Sequence, residues 1–260
     1  MDFTIKKYIQ LLNQLKEHGY TFITYSDYCT GNCPERFVIM RHDADLKPQN
    51  SLEIAKLEKQ FGTKASYYFR TVPGSWDEKV VKEISQMGFE VGYHYESLST
   101  CRGDMKAAYQ DFCKNLERIR ELADVRTVCM HGSPRSSHDS KDLWKKYDFK
   151  DLGIIGEPFL TTDFSTILYL TDTGRRWDGH KVSLRDKIEN WQEKWIDLGW
   201  IFHSTDDIIR ALRENRMPNQ IMITTHPQRW TDSRFEWTKE LLFQKLKNIV
   251  KGIIVMRRAR

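Results

Sequence analysis

The segment Arg36-Phe37-Val38-Ile39-Met40 runs directly into Arg41-His42-Asp43-Ala44-Asp45, and this stretch decides the fold class. Its apolar half predicts a buried strand, because a short continuous apolar run leaves no face for solvent. Its polar half begins where that strand should end. Ionisable residues directly after a buried strand are typical of parallel α/β folds, whose functional groups lie at the carboxyl ends of the strands.

The rest of the chain alternates strand-like apolar runs with segments of helical apolar spacing. The predicted strands are residues 36–40, 65–70, 89–95, 126–130, 152–155, 166–170 and 220–225. The predicted helices include residues 8–15, 52–61, 77–87, 105–122, 205–216 and 234–250. Such alternation predicts parallel βα units. About seven strands favour a (β/α) barrel in one domain, residues 1–260, although the periodicity leaves an open sheet as an alternative.

Ionisable residues of metal-ligand or acid/base type follow six of the predicted strands. In chain order they are Asp43, Asp45, Arg70, His94, Glu96, His131, Asp172, Arg175 and His226. One such residue would mean little, but the carboxyl ends of parallel strands meet at one rim of a barrel. The pattern therefore predicts a polar site at that rim.

Asp43 and Asp45 lie two residues apart, so on an extended strand both side chains point to the same side. Two carboxylates on one side repel each other unless a cation or a shared proton lies between them. One aspartate is expected to ligate a metal and the other to act as a general base. A helix cap or turn before Pro48 is the alternative.

His94 ends a predicted strand, and an imidazole there suits a divalent metal, although a lone histidine is more often structural. Glu96 lies on the same side of the strand as His94 and can orient a metal ligand by hydrogen bonding to it. Arg70 ends the preceding predicted strand. His131 begins a Gly-Ser-Pro turn and can supply a further nitrogen ligand or a substrate contact.

His226 stands before Pro227 at the end of the last predicted strand, where it fits a general acid or, alternatively, a helix cap or core residue. Asp172 and Arg175 can form a pair that orients a catalytic group. The indole of Trp177 could stack on a sugar ring. A surface ion pair beside a packed tryptophan is the alternative for this segment.

These motifs resemble the polysaccharide deacetylase superfamily (NodB homology, carbohydrate esterase family 4), whose fold is a distorted (β/α) barrel. By this resemblance Asp43 is the general base and Asp45 a metal ligand. Gly92-Tyr93-His94-Tyr95-Glu96 matches the motif that begins with a metal-binding histidine, and Thr225-His226-Pro227 matches the one that supplies the general acid. Arg41–Asp45, Asp172–Trp177 and His226–Trp230 further resemble a branch associated with O-antigen and surface-polysaccharide biosynthesis, which places Trp230 among the predicted substrate-binding or supporting residues.

One departure from the family pattern concerns the metal site. The usual second histidine falls four residues after the first, where this chain has Leu98, which has no ligand atom. The third motif, usually an arginine before a proline, reads His131-Gly132-Ser133-Pro134-Arg135 here. We therefore expect His131 to complete a site with Asp45 and His94, holding a divalent metal, zinc by its donor set.

The predicted function is metal-dependent hydrolysis of an N-acetyl group from a sugar, a C–N bond other than a peptide bond, in O-antigen or surface-polysaccharide biosynthesis. The expected partner is an N-acetylated saccharide that is nucleotide-linked, lipid-linked or an oligosaccharide. Hydrolysis of a non-sugar amide, or metal-free saccharide binding on the same fold, are the alternatives.

Composition limits the other classes of function. The net charge of +5 is mild and the basic residues are mostly scattered, so no nucleic-acid binding is expected. No apolar run is long enough to span a bilayer, and the mean hydropathy is −0.62. The five cysteines show no paired metal-binding spacing and are expected to be reduced thiols. A charged amphipathic start rather than a signal peptide indicates a cytoplasmic protein.

Overall fold

The computed structural model describes residues 1–133, 136–177 and 188–258, apart from the side chains of 189 and 249–258. The chain forms two compact units. Unit one comprises Met1–Thr21, Pro34–Val38 and Asp163–Arg260, and unit two comprises Phe22–Cys33 and Ile39–Thr162. The single domain over residues 1–260 stays a prediction.

Seven strands are present in the described part of the chain: β1 (Thr21–Ile23), β2 (Phe37–Ala44), β3 (Ser66–Phe69), β4 (Glu90–Tyr95), β5 (Val128–Met130), β6 (Leu168–Thr171) and β7 (Gln220–Thr225). They have the order β5-β4-β3-β2-β7-β6, and β1 pairs with β2. In unit two, β2, β3, β4 and β5 pair in parallel, and in unit one β6 and β7 do so.

The α-helices are α1 (Ile5–Glu17), α2 (Tyr25–Cys29), α3 (Pro48–Phe61), α4 (Glu78–Gln86), α5 (Ser97–Thr100), α6 (Met105–Arg120), α7 (Pro158–Thr161), α8 (Glu189–Asp197), α9 (Thr205–Arg213) and α10 (Arg234–Arg258). Short 3₁₀ turns lie at Ser140–Lys145, Phe149–Leu152, Thr173–Arg175 and Pro227–Arg229. Helices between parallel strands confirm the predicted fold class, α/β of the distorted (β/α) barrel type with about seven parallel strands.

The strand predicted at residues 152–155 is wrong. A 3₁₀ turn ends at Leu152, and Gly153 then adopts a left-handed conformation with φ of 70°, which an extended strand excludes. Only one isolated bridge, between Thr127 and Gly156, remains beside β5. The sequence also missed β1, whose three residues are too few to show a period.

The deciding strand, β2, is buried along its whole length. It extends four residues beyond its predicted end, so that Arg41, His42 and Asp43 belong to the strand itself. Alternation along it sends His42 to the opposite side from Asp43, where its Nε2 lies 3.1 Å from Oε1 of the buried Glu58. That placement makes His42 structural.

Among the described residues, no helix combines the length and the apolar character needed to cross a membrane.

Gly92 of β4 leaves room for the ring of Tyr68, which packs directly over its backbone. A Cβ at this position would collide with the Tyr68 ring and lie 2.9 Å from the backbone oxygen of Thr127. We expect Gly92→Ala to lower the free energy of unfolding by roughly 1–3 kcal/mol, the usual cost of overpacking. Urea unfolding measures the loss, and Gly92→Ser should cost more than Gly92→Ala. A loss that does not grow with side-chain size would contradict the crowding.

Candidate functional site

In unit two, the carboxyl end of β2 holds a buried ion pair. The Nε and Nη2 atoms of Arg41 donate to the two oxygens of Asp43, at 2.9 and 2.6 Å. The side chains are 0% and 2% exposed. They meet because residues two apart on a strand share one side. Since an isolated buried carboxylate would be costly, Arg41 is what allows Asp43 to remain ionised in this position.

His94, on β4, turns one ring nitrogen towards both aspartates. Its Nδ1–H donates to the backbone oxygen of Cys129 at 3.0 Å, which fixes the ring and its tautomer. Its Nε2 lies 3.5 Å from Oδ1 of Asp45 and 3.7 Å from Oδ2 of Asp43. Burial acts to lower the pKa of His94, but the two carboxylates outweigh it, so that the pKa is raised.

His131 follows β5 and faces the same carboxylate. Its Nδ1–H donates to Oε2 of Glu96 at 3.0 Å, and its Nε2 lies 3.5 Å from Oδ1 of Asp45. Arg70 donates to Glu96 from the other side, with Nε at 2.9 Å. Burial acts to raise the pKa of Glu96, but His131 and Arg70 together lower it to about 2. Glu96 is therefore an ionised group that orients the imidazole of His131.

Asp45 lies close to the imidazoles of both His94 and His131. Two nitrogen or oxygen ligands of one tetrahedral zinc, each bonded at about 2.0–2.1 Å, lie roughly 3.4 Å apart. Oδ1 of Asp45 stands 3.5 Å from Nε2 of His94 and 3.5 Å from Nε2 of His131. Both rings are held by a hydrogen bond at the other nitrogen, as in metal sites whose ligands are oriented by outer partners. These two distances suit ligands of one metal ion, but Asp45, His94 and His131 are not a set whose ligand atoms all lie within 4.8 Å of one another.

A second set of possible ligands shares His94. Ligand atoms of Asp43, His94 and Cys129 all lie within 4.8 Å of one another, and all three residues are buried. Cys129 stands opposite His94 in the β4–β5 register. A thiolate would favour zinc over harder cations. In the first set Asp45 is the carboxylate ligand and Asp43 can act as a base, and in the second set these roles are exchanged. Mutation of each aspartate can distinguish the two sets.

A small cavity of about 130 Å³ borders His94 and Glu96, with Thr71, Tyr93 and Asp111 among the other lining residues. Pockets that enclose a whole small molecule commonly measure roughly 300–1,000 Å³. This cavity is smaller than that, and Asp43, Asp45 and His131 are not among its lining residues.

In unit one, Asp172 is the acceptor at the centre of a buried polar cluster. Its Oδ1 lies 2.6 Å from Nδ1 of His226 and 2.6 Å from Nη1 of Arg229. Its Oδ2 accepts from the backbone N–H of His226 at 2.9 Å and from the indole N–H of Trp230 at 2.8 Å. Burial acts to raise the pKa of Asp172, but Arg229 and His226 lower it to about 2. The ionised carboxylate fixes the tautomer and the orientation of His226.

Three of the predicted residues of unit one, Trp177, Arg175 and Trp230, occupy other places than expected. Trp230 is 1% exposed, and its indole N–H donates to Asp172. Trp177 is 1% exposed and packs on Phe3 and Trp230, so its ring is in the core and has no face for a sugar. The guanidinium of Arg175 lies over the rings of Phe3 and Trp237, each at 4.9 Å. The arginine that pairs with Asp172 is Arg229.

Sequence reasoning left Arg41, Cys129 and Arg229 without a role. Alternation on β2 could have identified Arg41, because it is two residues from Asp43. Arg229 could not be found from spacing, because its contact with Asp172 joins the ends of two strands that are distant in sequence. Pro134 and Arg135 of the third motif lie outside the described residues.

No protein-family model matches this sequence. No curated protein matches it either. Among solved structures, a Streptococcus mutans family 4 carbohydrate esterase is 13% identical, with coverage of 90% of this chain and 89% of that one and a TM-score of 0.44. Bacillus subtilis PdaA, a family 4 carbohydrate esterase, is 11% identical, with coverages of 92% and 84% and a TM-score of 0.43.

A family 4 pseudoenzyme from Bacillus anthracis is 14% identical, with coverage of 84% of this chain and 62% of that chain and a TM-score of 0.43. This chain therefore spans less than two thirds of the length of that protein. Similarities of this strength carry no argument about what the chain does.

The buried Asp172 cluster predicts a distinctive loss of stability in acid. A carboxyl whose pKa falls from about 3.9 unfolded to about 2 folded contributes about 2–3 kcal/mol, which is present above pH 4 and is lost as the pH falls towards 2. Asp172→Asn should lower the free energy of unfolding by at least that much at pH 7, and the difference from the wild type should shrink below pH 4.

Urea unfolding followed by tryptophan fluorescence at several pH values measures this difference. Asp124→Asn, a change at an exposed aspartate, is the control and should show little loss. If Asp172→Asn lowers the free energy of unfolding by the same amount at every pH, Asp172 is not ionised in the folded protein.

Proposed function

We propose that the protein is a metal-dependent hydrolase that removes the N-acetyl group from a sugar. The observation that carries this proposal is the position of Asp45, whose Oδ1 is 3.5 Å from the Nε2 atoms of both His94 and His131. Support comes also from the resemblance of the sequence motifs to polysaccharide deacetylases, with His131 in place of the absent second histidine.

The metal in this proposal is zinc, held by Asp45, His94 and His131. A bound divalent ion would polarise the acetyl carbonyl and lower the pKa of a bound water. The remaining chemistry is assigned to the side chains of the protein. Glu96 keeps the Nδ1 proton on His131, so that its Nε2 lone pair is available, and the backbone oxygen of Cys129 does the same for His94.

Asp43 is the proposed general base. It takes a proton from the attacking water while the oxygen of that water bonds to the acetyl carbon. Arg41 holds both carboxylate oxygens of Asp43 in place. The base is therefore already oriented, and less conformational entropy is lost on reaching the transition state. The products of the whole reaction are acetate and the free amine of the sugar.

His226 is the proposed general acid. As the C–N bond breaks, the nitrogen leaves with a proton donated by the imidazole. The Nδ1 atom is engaged with Asp172, so the proton in question is on Nε2. The negative charge of Asp172 stabilises the protonated ring, as a carboxylate does in other histidine acid/base pairs.

The proposed substrate is an N-acetylated saccharide, nucleotide-linked, lipid-linked or an oligosaccharide, in O-antigen or surface-polysaccharide biosynthesis. The sequence motifs support that class of substrate, and the proposed compartment is the cytoplasm.

A metal-free saccharide-binding protein is a second candidate, favoured by one observation. The raised pKa of His94 means that a protonated imidazole, in place of a metal, could compensate the charges of Asp43 and Asp45. A protein of this kind would show no hydrolysis and no bound metal.

Single substitutions distinguish the ligands from the base. Asp45→Asn should weaken zinc binding by more than about tenfold. Loss of a residue that only hydrogen-bonds to a metal ligand already costs about tenfold or more, and loss of a ligand should cost more than that. Asp43→Asn should keep zinc and lose turnover by roughly 10²–10⁴-fold, because an amide cannot accept the proton. Elemental analysis after dialysis against zinc, and acetate release from a panel of N-acetylated sugars, are the measurements.

Cys129→Ser is the matched control, and it should retain zinc. If Asp43→Asn and Asp45→Asn exchange phenotypes and Cys129→Ser loses zinc, the ligand set is Asp43, His94 and Cys129. A wild-type protein that binds no zinc and releases no acetate would support the second candidate.

His226→Ala should slow amide cleavage by roughly 10²–10⁴-fold, the usual contribution of a positioned proton donor. An ester with a good leaving group needs little protonation, so its hydrolysis should suffer much less. Substrate binding should change little, since the proton moves only in the transition state. His203→Ala, at an exposed histidine, serves as control. Equal loss on both substrates would assign His226 a structural or positioning role.

A further inference from the structure

The last helix, α10, packs on unit one through one face. Trp237 donates its indole N–H to the backbone oxygen of Asp2 at 2.7 Å. About two turns further on, Gln244 is 2% exposed, and about three turns further on, Asn248 donates to the backbone oxygen of Gly174 at 3.0 Å. Positions separated by seven and eleven residues lie on the same side of a helix. This side is therefore the inner face of α10.

The opposite side of α10 exposes a row of large apolar side chains. Phe235 is 74% exposed, Leu242 58% and Leu246 65%. Their spacing of seven and eleven residues repeats that of the inner face, but it begins two residues earlier, which is a rotation of about 200° around the helix. Phe243, 49% exposed, extends the row sideways. We call these four residues the outer apolar row.

Exposed large apolar side chains are concentrated on α10 and are not spread evenly over the surface. Of the nine large apolar side chains exposed in the described part of the chain, four belong to the outer apolar row. Single exposed apolar residues are ordinary, whereas a contiguous group commonly marks an interaction surface.

The same segment carries the excess positive charge of the whole protein. Residues 234–260 include eight Lys and Arg against two Glu, a net charge of +6, whereas the full chain has +5. Lys239, Lys245 and Lys247 are exposed on the described part of the helix. By helical geometry Lys245 and Lys247 lie to either side of the outer apolar row, and Nζ of Lys247 is 4.2 Å from the centre of the Phe243 ring.

We propose that the outer apolar row and its flanking lysines dock on the surface of an anionic lipid bilayer. A helix with an apolar face flanked by lysines lies in the interface with its apolar side chains in the acyl boundary and its charges at the headgroups. Long lysine stems permit that arrangement, because they follow the apolar surface while the ammonium groups stay in water.

Two other partners fit the row less well. Nucleic acid would use the lysines, but its phosphates offer nothing to Phe235, Leu242 or Leu246. A second copy of the chain could cover the apolar side chains, but it would bring together two segments of net charge +6 each. An anionic bilayer offers both an apolar interior and negative charge, and each basic residue near its surface adds to the attraction.

Cosedimentation of the full chain with lipid vesicles tests the proposal. We expect binding to vesicles of phosphatidylcholine with phosphatidylserine and none to phosphatidylcholine alone, and high salt should weaken the binding. The double variant Leu242→Glu with Leu246→Glu should reduce binding by at least about tenfold, because two leucines that the bilayer would bury are lost from the contact. Both positions are exposed, so the fold should persist.

Leu198→Glu is the matched control, because Leu198 is 61% exposed but lies outside α10, and it should bind as the wild type does. Equal loss in this control would overturn the proposal. So would binding to duplex DNA without binding to vesicles, which would assign the segment to nucleic acid. A wild-type dimer that ignores vesicles and becomes monomeric in the double variant would assign the row to a second copy.

Discussion

The parallel register of β4 with β5 is the constraint on which the candidate metal centre depends. It sets His94 opposite Cys129, so that the backbone oxygen of Cys129 accepts from the imidazole. The ladder continues one step beyond β5, where the N–H of His131 donates to the oxygen of Tyr95 at 2.8 Å. A shift of one residue would send His94 to the other side of the sheet, because alternate residues face opposite sides.

Ion pairing determines which buried carboxyl groups of unit two are ionised. Arg41 compensates the charge of Asp43, and Arg70 compensates that of Glu96, which also accepts a hydrogen bond from His131 and whose pKa falls to about 2. Glu157 shows the contrasting case. It accepts from three backbone N–H groups but has no ion pair within the described contacts, and burial raises its pKa to about 7. A glutamate side chain is thus fully ionised at neutral pH in one place, Glu96, and only about half ionised in another, Glu157.

In unit one, Asp172 combines structural and functional demands. The carboxylate accepts from His226, Arg229 and Trp230, so removing it would leave a buried cation and an indole N–H unsatisfied. The same contacts hold the imidazole in one tautomer. A histidine fixed in this way is suited to proton transfer. Trp230 is part of the same support, because its indole N–H donates to Asp172 and its ring is buried in the core.

The sequence by itself determined the fold class and the residue types of the site. Alternating strand and helix periods predicted parallel βα units, and ionisable groups after the strands predicted where function would lie, because periodicity and strand ends are local properties. It failed at residues 152–155, where Gly153 takes a left-handed turn. Only the tertiary structure decided the partners. That Arg229 and not Arg175 meets Asp172, and that Trp177 is buried against Phe3 and Trp230, depend on side-chain packing between segments distant in the chain, which no local pattern encodes.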